Sequence, residues 1–422
     1  MTSARRLRPL PVPSGARAPE ILPDLRRALD GTGPPLLPLP EGETTSSETA
    51  RALGAEEPLG TDEDSPEDPT ALVMPTSGST GSPKGVLLSS SALRASARST
   101  HHHLGGPGNW LLAMPAHHIA GIQVLVRSLL AELPVRAVDT SEGFHATAFA
   151  AVAEEVLAAP GRHYTALVPT QLGRLLAPEA DPRGARALRA FDAVLVGGAA
   201  TDPALLERAR AQGVGVVTTY GMSETAGGCV YDGTPLSGVR VHVAAPEPGG
   251  ISLSGPTLAR GYRAEPGTKA FRDGWFHTGD LGQWRNGRLD VLGRNDDVIV
   301  TGGVNVAPVA VERALTAHPG VREACVLGVP DAEWGQAVTA ALVTDTPPPT
   351  ESQLRELVRT RLGGACVPKR FGVVDELPLR GPGKPDRRRL LELFTGSTAE
   401  LRGLPTGPET PMSEDEPHGL SR

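Results

Sequence analysis

Short apolar runs alternate with helical patterns between residues 71 and 219, and this alternation restricts the fold more than any other feature of the sequence. The apolar runs, which are typical of buried strands, lie at 71–74, 110–114, 135–138, 166–169, 193–196 and 214–219. The helical patterns lie at 90–102, 122–132, 148–158 and 203–211. Strands that alternate with helices predict a parallel sheet covered by helices.

Two later regions have a different pattern. Residues 239–292 hold short β runs with many Gly and Asp turns, which predict a small antiparallel subdomain. After Arg294, strand-like runs at 298–306, 324–329, 337–343 and 372–374 and helical patterns at 309–317 and 351–362 predict a compact α+β unit. We therefore expect an α/β fold. Its large N-terminal domain has mixed and parallel sheets covered by helices, with a small antiparallel subdomain, and a small, mobile α+β C-terminal domain follows.

The expected boundaries follow these changes in composition. The first 65 residues are rich in Pro, Gly, Ala and acidic residues, so we expect a partly disordered segment and linker, with one short helix at 22–29. The large domain is expected at 66–294 and the C-terminal lid domain at 295–394. The tail at 395–422 is rich in Gly, Pro, Ser and Glu, and we expect it to be disordered.

Charge and cysteine content exclude several classes of protein. The 422 residues carry a formal charge of -7, which gives no general attraction to nucleic acid or to anionic membranes. The three cysteines are too few and too scattered for a disulfide framework or a zinc site. We see no signal peptide, and the longest apolar stretch, at 119–133, is too short and too polar to span a bilayer. A cytoplasmic protein without membrane insertion is expected, and it could form a homo-oligomer.

The strongest local signal is TSGSTGSPKG at residues 76–85, directly after an apolar run. Glycines let backbone N–H groups turn inward, hydroxyls add donors, and Lys84 adds a positive charge, so the loop suits a polyphosphate. It is not a Walker A loop, because Pro83 precedes the lysine and Gly85 follows it. Only four lysines occur in the chain, and Lys84 and Lys384 both lie in short glycine-containing loops. The alternative is a flexible Ser/Gly linker.

Four weaker motifs follow in order, at 218–225 (TTYGMSET), 275–280 (WFHTGD) with Arg294, 296–305 (DDVIVTGGVN) and 381–388 (GPGKPDRR). In the first, Tyr220 suits a base and Glu224 suits a magnesium ion between phosphates. A carboxylate and a guanidinium, Asp280 and Arg294, can bracket a ribose diol. Each motif also has an ordinary interpretation: a strand-to-helix turn, a common turn, a solvated turn and a basic tail.

Together these motifs resemble the adenylate-forming superfamily of acyl-CoA synthetases, adenylation domains and luciferases. TSGSTGSPKG resembles its phosphate loop, YGMSETAGG its adenine and magnesium motif, and TGD its ribose motif. GRNDDVIVTGGVNVAPVAVE at 293–312 resembles the hinge and the loop after it, and PGK at 382–384 resembles the catalytic-lysine loop. The resemblance runs from about residue 70 to residue 390. It implies ATP, Mg²⁺ and CoA, with a small-molecule carboxylate as the substrate that is first adenylated and then passed to a thiol.

The resemblance also implies a role for each matching residue. For the catalytic steps it implies Lys384 in adenylation, Glu224 on Mg²⁺ and Thr225 at the α-phosphate, with Asp296 as the hinge of a domain rotation. For the nucleotide and CoA it implies Thr76, Ser77, Gly78, Ser79, Thr80, Gly81, Lys84, Gly198, Ala199, Thr219, Tyr220, Gly221, Met222, Ser223, Asp280, Arg294, Gly302 and Gly303. Either Arg387 or Arg388 could support the Lys384 loop, and the sequence leaves that choice open.

The acyl pocket is predicted from a second set of residues. MPAHHIAG at 114–121 resembles the family's Pro-x-x-His-x-x-Gly stretch, whose histidine faces the acyl group, and His118 falls on that position. Thr170, Gln171 and Arg260 are further candidates for contact with the substrate. The alternative for His118 is a histidine whose hydrogen bonds are satisfied inside the fold.

Within the superfamily, PAHHIAGIQVLVRSL, VPTQL and TTYGMSETAGGCVYDG resemble the 2-succinylbenzoate–CoA ligases of menaquinone synthesis. This resemblance implies a ligase that adenylates the succinyl carboxylate and releases AMP and pyrophosphate. Three alternatives stay open: a ligase for another aryl or acyl acid, a stand-alone adenylation domain that loads a carrier protein, and a nucleotide-binding protein without catalysis. Intact Lys384 and Glu224 argue against the last of these.

Overall fold

The computed structural model describes residues 4–77, 83–178, 180–263, 265, 268–379, 384–396 and 401–405. These residues form two compact units. The first runs to Asp296 and includes Lys384, and the second comprises Asp297–Leu379 and the chain from Pro385 onward. Gly78, Ser79, Thr80 and Gly81 of the predicted phosphate loop lie outside the described residues, as does most of the predicted tail.

The first unit is built from helices and strands that alternate over much of its length. Its strands are β1 (Arg8–Val12), β2 (Leu36–Pro40), β3 (Thr70–Ser77), β4 (Pro83–Ser89), β5 (Asn109–Leu112), β6 (Val135–Ala137), β7 (His163–Leu167), β8 (Ala193–Val196), β9 (Val216–Met222), β10 (Gly227–Tyr231), β11 (Thr234–Pro235), β12 (Arg240–Val243), β13 (Gly249–Ser254), β14 (Gly261–Tyr262), β15 (Phe271–Arg272), β16 (Trp275–Arg285) and β17 (Arg288–Arg294). Its α-helices are α1 (Leu22–Leu29), α2 (Glu48–Ala52), α3 (Ser90–His103), α4 (Ile119–Ala131), α5 (Ala146–Leu157), α6 (Pro169–Leu175), α7 (Pro182–Ala190) and α8 (Pro203–Ala211).

The predicted parallel sheet is confirmed. Strands β9, β8, β7, β5 and β6 are adjacent in that order and parallel, and the antiparallel strands β10 and β11 extend the β9 edge. Side chains along β5 alternate between two cores. Trp110 and Leu112 pack with residues of α1, α3 and α4, whereas Leu111 packs with residues of α5 to α8. The sheet is therefore covered by helices on both faces, as the alternation predicts.

Two further sheets complete the first unit. One has the order β1-β2-β3-β4-β14, with β1 to β3 parallel and the other pairs antiparallel. The other is the predicted antiparallel subdomain, with the order β12-β13-β16-β15 and β17 paired with β16. The segment predicted as a phosphate loop therefore connects two antiparallel strands, β3 and β4.

Within the first 65 residues, expected as a partly disordered segment and linker, the structure has strands β1 and β2 and helices α1 and α2. Leu7, Leu25 and Leu36 are fully buried, and β2 joins β3 through Leu36 and Leu72. The acidic stretch after residue 56 is held by ion pairs instead of acting as a linker. The nearly buried Arg263 lies 2.6 Å from Glu63 through Nη1, and Arg5 lies 3.0 Å from Asp64. The acidic composition of this segment therefore does not indicate a linker, because Glu63 and Asp64 form ion pairs with arginines of the first unit.

The second unit is an α+β structure with its own core. It contains β18 (Ile299–Thr301), β19 (Val304–Val306), β20 (Val321–Asp331), β21 (Gly335–Thr344), β22 (Arg370–Val373), α9 (Pro308–Thr316), α10 (Glu351–Leu362) and α11 (Arg387–Thr395). The sheet order is β19-β18-β21-β20, with β22 beside β21. The run at 298–306, expected as one strand, is a hairpin, because Gly302 and Gly303 adopt φ values of 55° and 80° that suit a tight turn. In the predicted tail, Arg402 forms a bridge with Val373.

Candidate active site

The candidate site begins at the carboxyl ends of the parallel strands, where open α/β sheets bind ligands. Strand β8 ends at Val196, and a side chain at Gly197 would come within 2.2 Å of Thr219 Oγ1. Gly198 follows with φ 84°, and Thr219 donates to the Val196 carbonyl over 3.4 Å. The backbone therefore approaches β9 closely at Gly197, directly before the predicted Gly198–Ala199 turn.

The two predicted ribose ligands are opposite one another in neighbouring strands. Asp280 of β16 pairs in register with Arg294 of β17, and Arg294 Nε lies 3.7 Å from Asp280 Oδ1. The Tyr220 hydroxyl, at the end of β9, donates to Asp280 Oδ2 over 2.6 Å. Burial and the Asp280 carboxylate raise the pKa of Tyr220, so the phenol stays protonated and remains a donor. The arrangement brings an aromatic ring, a carboxylate and a guanidinium together, as the sequence predicts.

The predicted metal ligand and the phosphate-loop lysine meet through a residue without a role in the sequence analysis, Tyr262. Its hydroxyl donates to Glu224 Oε1 over 2.8 Å, and Lys84 Nζ lies 4.8 Å from the centre of its ring. Lys84 Nζ also lies 3.0 Å from Glu265 Oε2. Burial, followed by the Glu224 carboxylate, raises the pKa of Tyr262. Thr76 is beside Lys84 in the hairpin register, and its hydroxyl donates to the Lys84 carbonyl over 3.3 Å.

The Gly221–Gly227 hairpin shapes the loop that carries Glu224. A side chain at Gly221 would meet the Gly227 carbonyl oxygen at 2.2 Å, so close approach of β9 and β10 requires glycine there. Met222 and Ser223 continue the loop, and Thr225 is almost completely buried. The Thr225 hydroxyl lies 2.7 Å from the Gly227 carbonyl and accepts from the Met222 N–H over 3.0 Å. Thr225 thus stabilises its own loop in this conformation. The family resemblance implies a contact between its hydroxyl and the α-phosphate, whereas here the hydroxyl bonds to backbone groups of the loop.

His118 precedes α4 and lies beside His117, with a distance of 4.2 Å between the ring centres. Burial, followed by the positive charges of His117 and Lys384, lowers the pKa of His118 to about 4. The imidazole is therefore neutral near pH 7. The MPAHHIAG stretch requires glycine at position 121, because a side chain there would lie 2.3 Å from the Pro115 carbonyl oxygen.

Two of the other predicted substrate contacts have different roles. The Gln171 amide is buried between backbone groups: it donates to the Ala113 carbonyl over 2.7 Å and accepts from the Val168 N–H over 3.0 Å. Arg260 donates to the Asp68 carbonyl and pairs with the Asp68 carboxylate at 3.5 Å. The Gln171 amide therefore has backbone partners on both its oxygen and its nitrogen, and Asp68 holds the Arg260 guanidinium. Thr170 is partly buried at the start of α6.

The remaining predicted residues lie at or after the boundary between the units. Asp296 is exposed in the short 3-10 helix Asn295–Asp297, and the boundary falls directly after it. Gly302 and Gly303 form the turn of the β18–β19 hairpin. Arg387, at the start of α11, lies 2.9 Å from Glu312 and 3.5 Å from Asp297, and it donates to the Val326 carbonyl. Arg388 is exposed, so Arg387 is the better placed of the two arginines to support the segment after Lys384.

Tyr262 and Glu265 are the residues that the sequence analysis did not assign. Tyr262 stands 38 residues from Glu224 in the chain, and Glu265 stands 181 residues from Lys84. The only local signal is the short Gly-Tyr strand after Arg260, which pairs with β4. In the part of the chain that the structure describes, no helix has the length and apolar character to cross a membrane.

Comparisons with known proteins identify the family of the chain. The family model described as AMP-binding enzyme matches residues 24–263, and that of the AMP-binding enzyme C-terminal domain matches residues 310–384. A "Probable 2-succinylbenzoate–CoA ligase" of Mycobacterium tuberculosis is 45% identical over 397 residues, covering 92% of this chain and 99% of the relative. A 2-succinylbenzoate–CoA ligase of Geobacillus kaustophilus is 33% identical over 411 residues, covering 90% of this chain and 79% of the relative.

Solved structures show the same fold. The o-succinylbenzoate CoA synthetase (MenE) of Bacillus subtilis, in complex with the acyl-adenylate intermediate OSB-AMP, matches with a TM-score of 0.67 and 28% identity, covering 87% of this chain and 80% of that chain. ATP-bound MatB of Rhodopseudomonas palustris matches with a TM-score of 0.77 and 24% identity, covering 93% and 89%, and supports the fold alone. With two family models matched in order and full-length relatives at this identity, the chain belongs to the AMP-binding enzyme family.

Proposed function

We propose that this protein is an ATP-dependent 2-succinylbenzoate–CoA ligase of menaquinone biosynthesis. In the first step the succinyl carboxylate attacks the α-phosphate of ATP and pyrophosphate leaves. In the second step the CoA thiol attacks the acyl-adenylate, which yields 2-succinylbenzoyl-CoA and AMP. The observation that carries the proposal is the 45% identity to the Mycobacterium tuberculosis ligase, which extends over 99% of that protein.

The nucleoside of ATP is proposed to bind at Tyr220, Asp280 and Arg294. The Tyr220 ring would lie against adenine, while Asp280 accepts hydrogen bonds from the ribose hydroxyls. Arg294 is about half exposed, whereas Asp280 is largely buried. A guanidinium that is free to move at the rim, beside a carboxylate held by Tyr220, fits a diol that enters from solvent. The Gly198–Ala199 backbone forms the adjoining wall.

The phosphates and Mg²⁺ are proposed to bind between Lys84, Thr76 and Glu224. Magnesium in nucleotide sites is usually bound by one or two carboxylates together with phosphate oxygens. Glu224 fits this requirement, because it is partly exposed and Tyr262 holds one of its oxygens. Mg²⁺ would neutralise charge on the departing pyrophosphate. Lys84, now paired with Glu265, would exchange that carboxylate for a phosphate oxygen.

Lys384, Asp296 and the Gly302–Gly303 turn are proposed to act in sequence. A positioned ammonium at Lys384 would stabilise the negative charge that develops on the α-phosphate during adenylation. Rotation at Asp296 would then replace Lys384 with the Gly302–Gly303 turn near the acyl carbonyl, for the thioester step. Asp296 is exposed next to a change of unit, which is where a hinge can absorb a backbone rotation.

The aryl carboxylate of 2-succinylbenzoate needs a partner inside the acyl pocket, because an unpaired buried carboxylate costs several kcal/mol. His118 is proposed to lie along this pocket, with Thr170 as a second candidate. Since the pKa of His118 is lowered to about 4, the imidazole would contribute a hydrogen bond instead of a positive charge. Arg260 and Gln171 are left out of this pocket because Asp68 holds the Arg260 guanidinium and the Ala113 carbonyl holds the Gln171 amide.

The test is a comparison of acids. CoA-dependent AMP release is measured with 2-succinylbenzoate, benzoate, 4-coumarate, octanoate and acetate, and ATP–pyrophosphate exchange is measured with and without CoA. The proposal expects the highest specificity constant for 2-succinylbenzoate and full turnover only with free CoA. A higher value for a monocarboxylate would indicate a ligase for another acid. Exchange without any CoA-dependent product would favour a domain that loads a carrier protein.

A further inference from the structure

We propose that Tyr262 is a positioning residue that holds Glu224 and Lys84 in the arrangement required by MgATP. The inference rests on the proposed function, because it takes Glu224 as the metal ligand and Lys84 as the phosphate ligand. Tyr262 would not touch the reacting atoms itself. It would act through the two charged side chains that it contacts, one through its hydroxyl and the other through its ring.

The hydroxyl restrains the carboxylate. Tyr262 is 9% exposed, and its hydroxyl lies 2.8 Å from Glu224 Oε1, a normal length for a hydrogen bond to a carboxylate. A tyrosine phenol is protonated at neutral pH and therefore acts as a donor to the carboxylate. A carboxylate with one oxygen held in this way has fewer rotamers to lose when a cation binds. The position of Glu224 is therefore set before Mg²⁺ arrives.

The ring restrains the lysine. Lys84 Nζ lies 4.8 Å from the Tyr262 ring centre, within the range of a cation–π contact. The ring attracts the ammonium without neutralising it, so Lys84 keeps its charge for a phosphate. Glu265 pairs with the same ammonium at 3.0 Å, and its side chain is 43% exposed, so a polyphosphate can displace it.

Tyr262 is itself held on both sides. Gly261 and Tyr262 pair with Leu87 and Val86 of β4, and the next residue donates its backbone N–H to the Gly85 carbonyl over 2.7 Å. That residue, Arg263, is 7% exposed and is bound to Glu63 and to the carbonyls of the Leu53–Pro58 segment. The hairpin strand that carries Lys84 and the ordered N-terminal segment thus determine where the Tyr262 ring lies.

Tyr262→Phe separates the two contacts, because it removes the hydroxyl and keeps the ring. The probes are Mg²⁺, titrated in ATP–pyrophosphate exchange, and ATP, whose binding is measured by calorimetry with Mg²⁺ and with EDTA. We expect Y262F to raise the Mg²⁺ concentration at half-maximal rate by about tenfold, as loss of a hydrogen bond to a charged group does. Binding of ATP in EDTA should be unchanged. Tyr262→Leu should also weaken binding in EDTA, because Lys84 loses the ring.

Tyr164→Phe is the matched control. Tyr164 is fully buried, and its hydroxyl contacts the Leu104 and Gly106 carbonyls at 3.0 Å each, so this variant also loses a buried phenol hydroxyl. Y164F should have the same Mg²⁺ concentration at half-maximal rate as the wild type. All measurements are made below the unfolding transition of each variant. A shift in Y262F no larger than in Y164F would overturn the inference.

Glu224→Gln distinguishes failure of the inference from failure of the metal assignment. If E224Q raises the Mg²⁺ requirement and Y262F does not, Tyr262 has no positioning role while the proposed metal ligand stands. If neither variant changes the requirement, both the inference and the assignment of Glu224 are wrong. The comparison of acid substrates does not depend on either result, so the proposed function is tested separately.

Discussion

The Tyr220 hydroxyl donates a 2.6 Å hydrogen bond to Asp280 Oδ2, which leaves Asp280 Oδ1 beside the Arg294 guanidinium at 3.7 Å. The three side chains come from three different strands, β9, β16 and β17, and the hydrogen bond from the tyrosine hydroxyl orients the carboxylate. Because a carboxylate oxygen can accept more than one hydrogen bond, Asp280 can keep this contact while it accepts from a ribose.

Asp280→Ala should therefore remove the preference of the enzyme for a ribose over a 2′-deoxyribose in the nucleotide. The wild type is expected to prefer ATP to 2′-deoxy-ATP in pyrophosphate exchange, and D280A should accept the two about equally, with KM for ATP raised by about tenfold or more. Tyr220→Phe keeps the ring and should raise KM by a smaller factor. A D280A enzyme that still prefers ATP would place the ribose elsewhere.

Lys384→Ala should lower the rate of adenylation by about a thousandfold, because a cation that stabilises transition-state charge is removed. Thioester formation from supplied acyl-adenylate should continue, because in the proposed cycle the domain rotation at Asp296 has replaced Lys384 before that step. The two half-reactions are followed by pyrophosphate exchange and by CoA thioester release. Lys369→Ala is the control, because Lys369 packs over the Trp334 ring in the second unit. Equal loss of both half-reactions in K384A would contradict the assignment.

Asp296→Pro should separate the half-reactions in a different way. Proline holds φ near about -65° and removes an N–H, so it restricts rotation at the residue that borders the second unit. One half-reaction should persist while the other falls, as measured by the same two assays. Asp296→Asn, which removes the charge but keeps the backbone free, should retain both. An unchanged overall rate in D296P would exclude this residue as the hinge.

His118 should make stability depend on pH. Its pKa is lowered to about 4 in the folded protein by burial and nearby positive charge, whereas an unfolded histidine titrates near about 6.5. Below pH 6.5 the unfolded chain binds a proton that the folded chain does not, so stability is present above that pH and is lost as the pH falls toward 4. Between pH 7 and pH 5, the free energy of unfolding of H118Q should fall by roughly 2 kcal/mol less than that of the wild type.

Denaturant unfolding at a series of pH values measures this difference. His145→Gln is the control, because that histidine is exposed at the start of α5. H145Q should follow the wild-type pH dependence. If H118Q followed it as well, the His118 imidazole would not remain neutral in the folded protein.

Local patterns were sufficient for strands β5 to β9 of the large sheet, for helices α3, α4, α5 and α8, and for the family, whereas α6 and α7 were not predicted. The apolar runs at β5 to β9 are long enough to be recognised, and hydrophobic periodicity depends only on residues close in sequence. Asp280 and Arg294 could be paired in advance because a short hairpin joins their strands, so their separation along the chain sets their register.

Tertiary structure decided which polar groups were already occupied. Gln171 and Arg260 have the chemistry of substrate ligands, but the packing of α6 beside β5 and of β14 beside β4 gives them protein partners. Asp64 lies in a stretch with the composition of a linker, yet it pairs with Arg5 in an ordered segment. A composition rule cannot detect such pairings, because they join residues that are distant in sequence.

Tyr262 shows the same limit at the centre of the candidate site. Nothing near it in the sequence distinguishes it from any tyrosine in a short strand, and its meaning comes from Glu224 and Lys84, which it meets only after β14 pairs with β4. The sequence by itself determined the chemistry available, namely a lysine in a glycine-rich loop and a carboxylate after a strand. Only the tertiary structure decided how that chemistry is held in place, because the partner of a hydroxyl is set by which strands lie side by side.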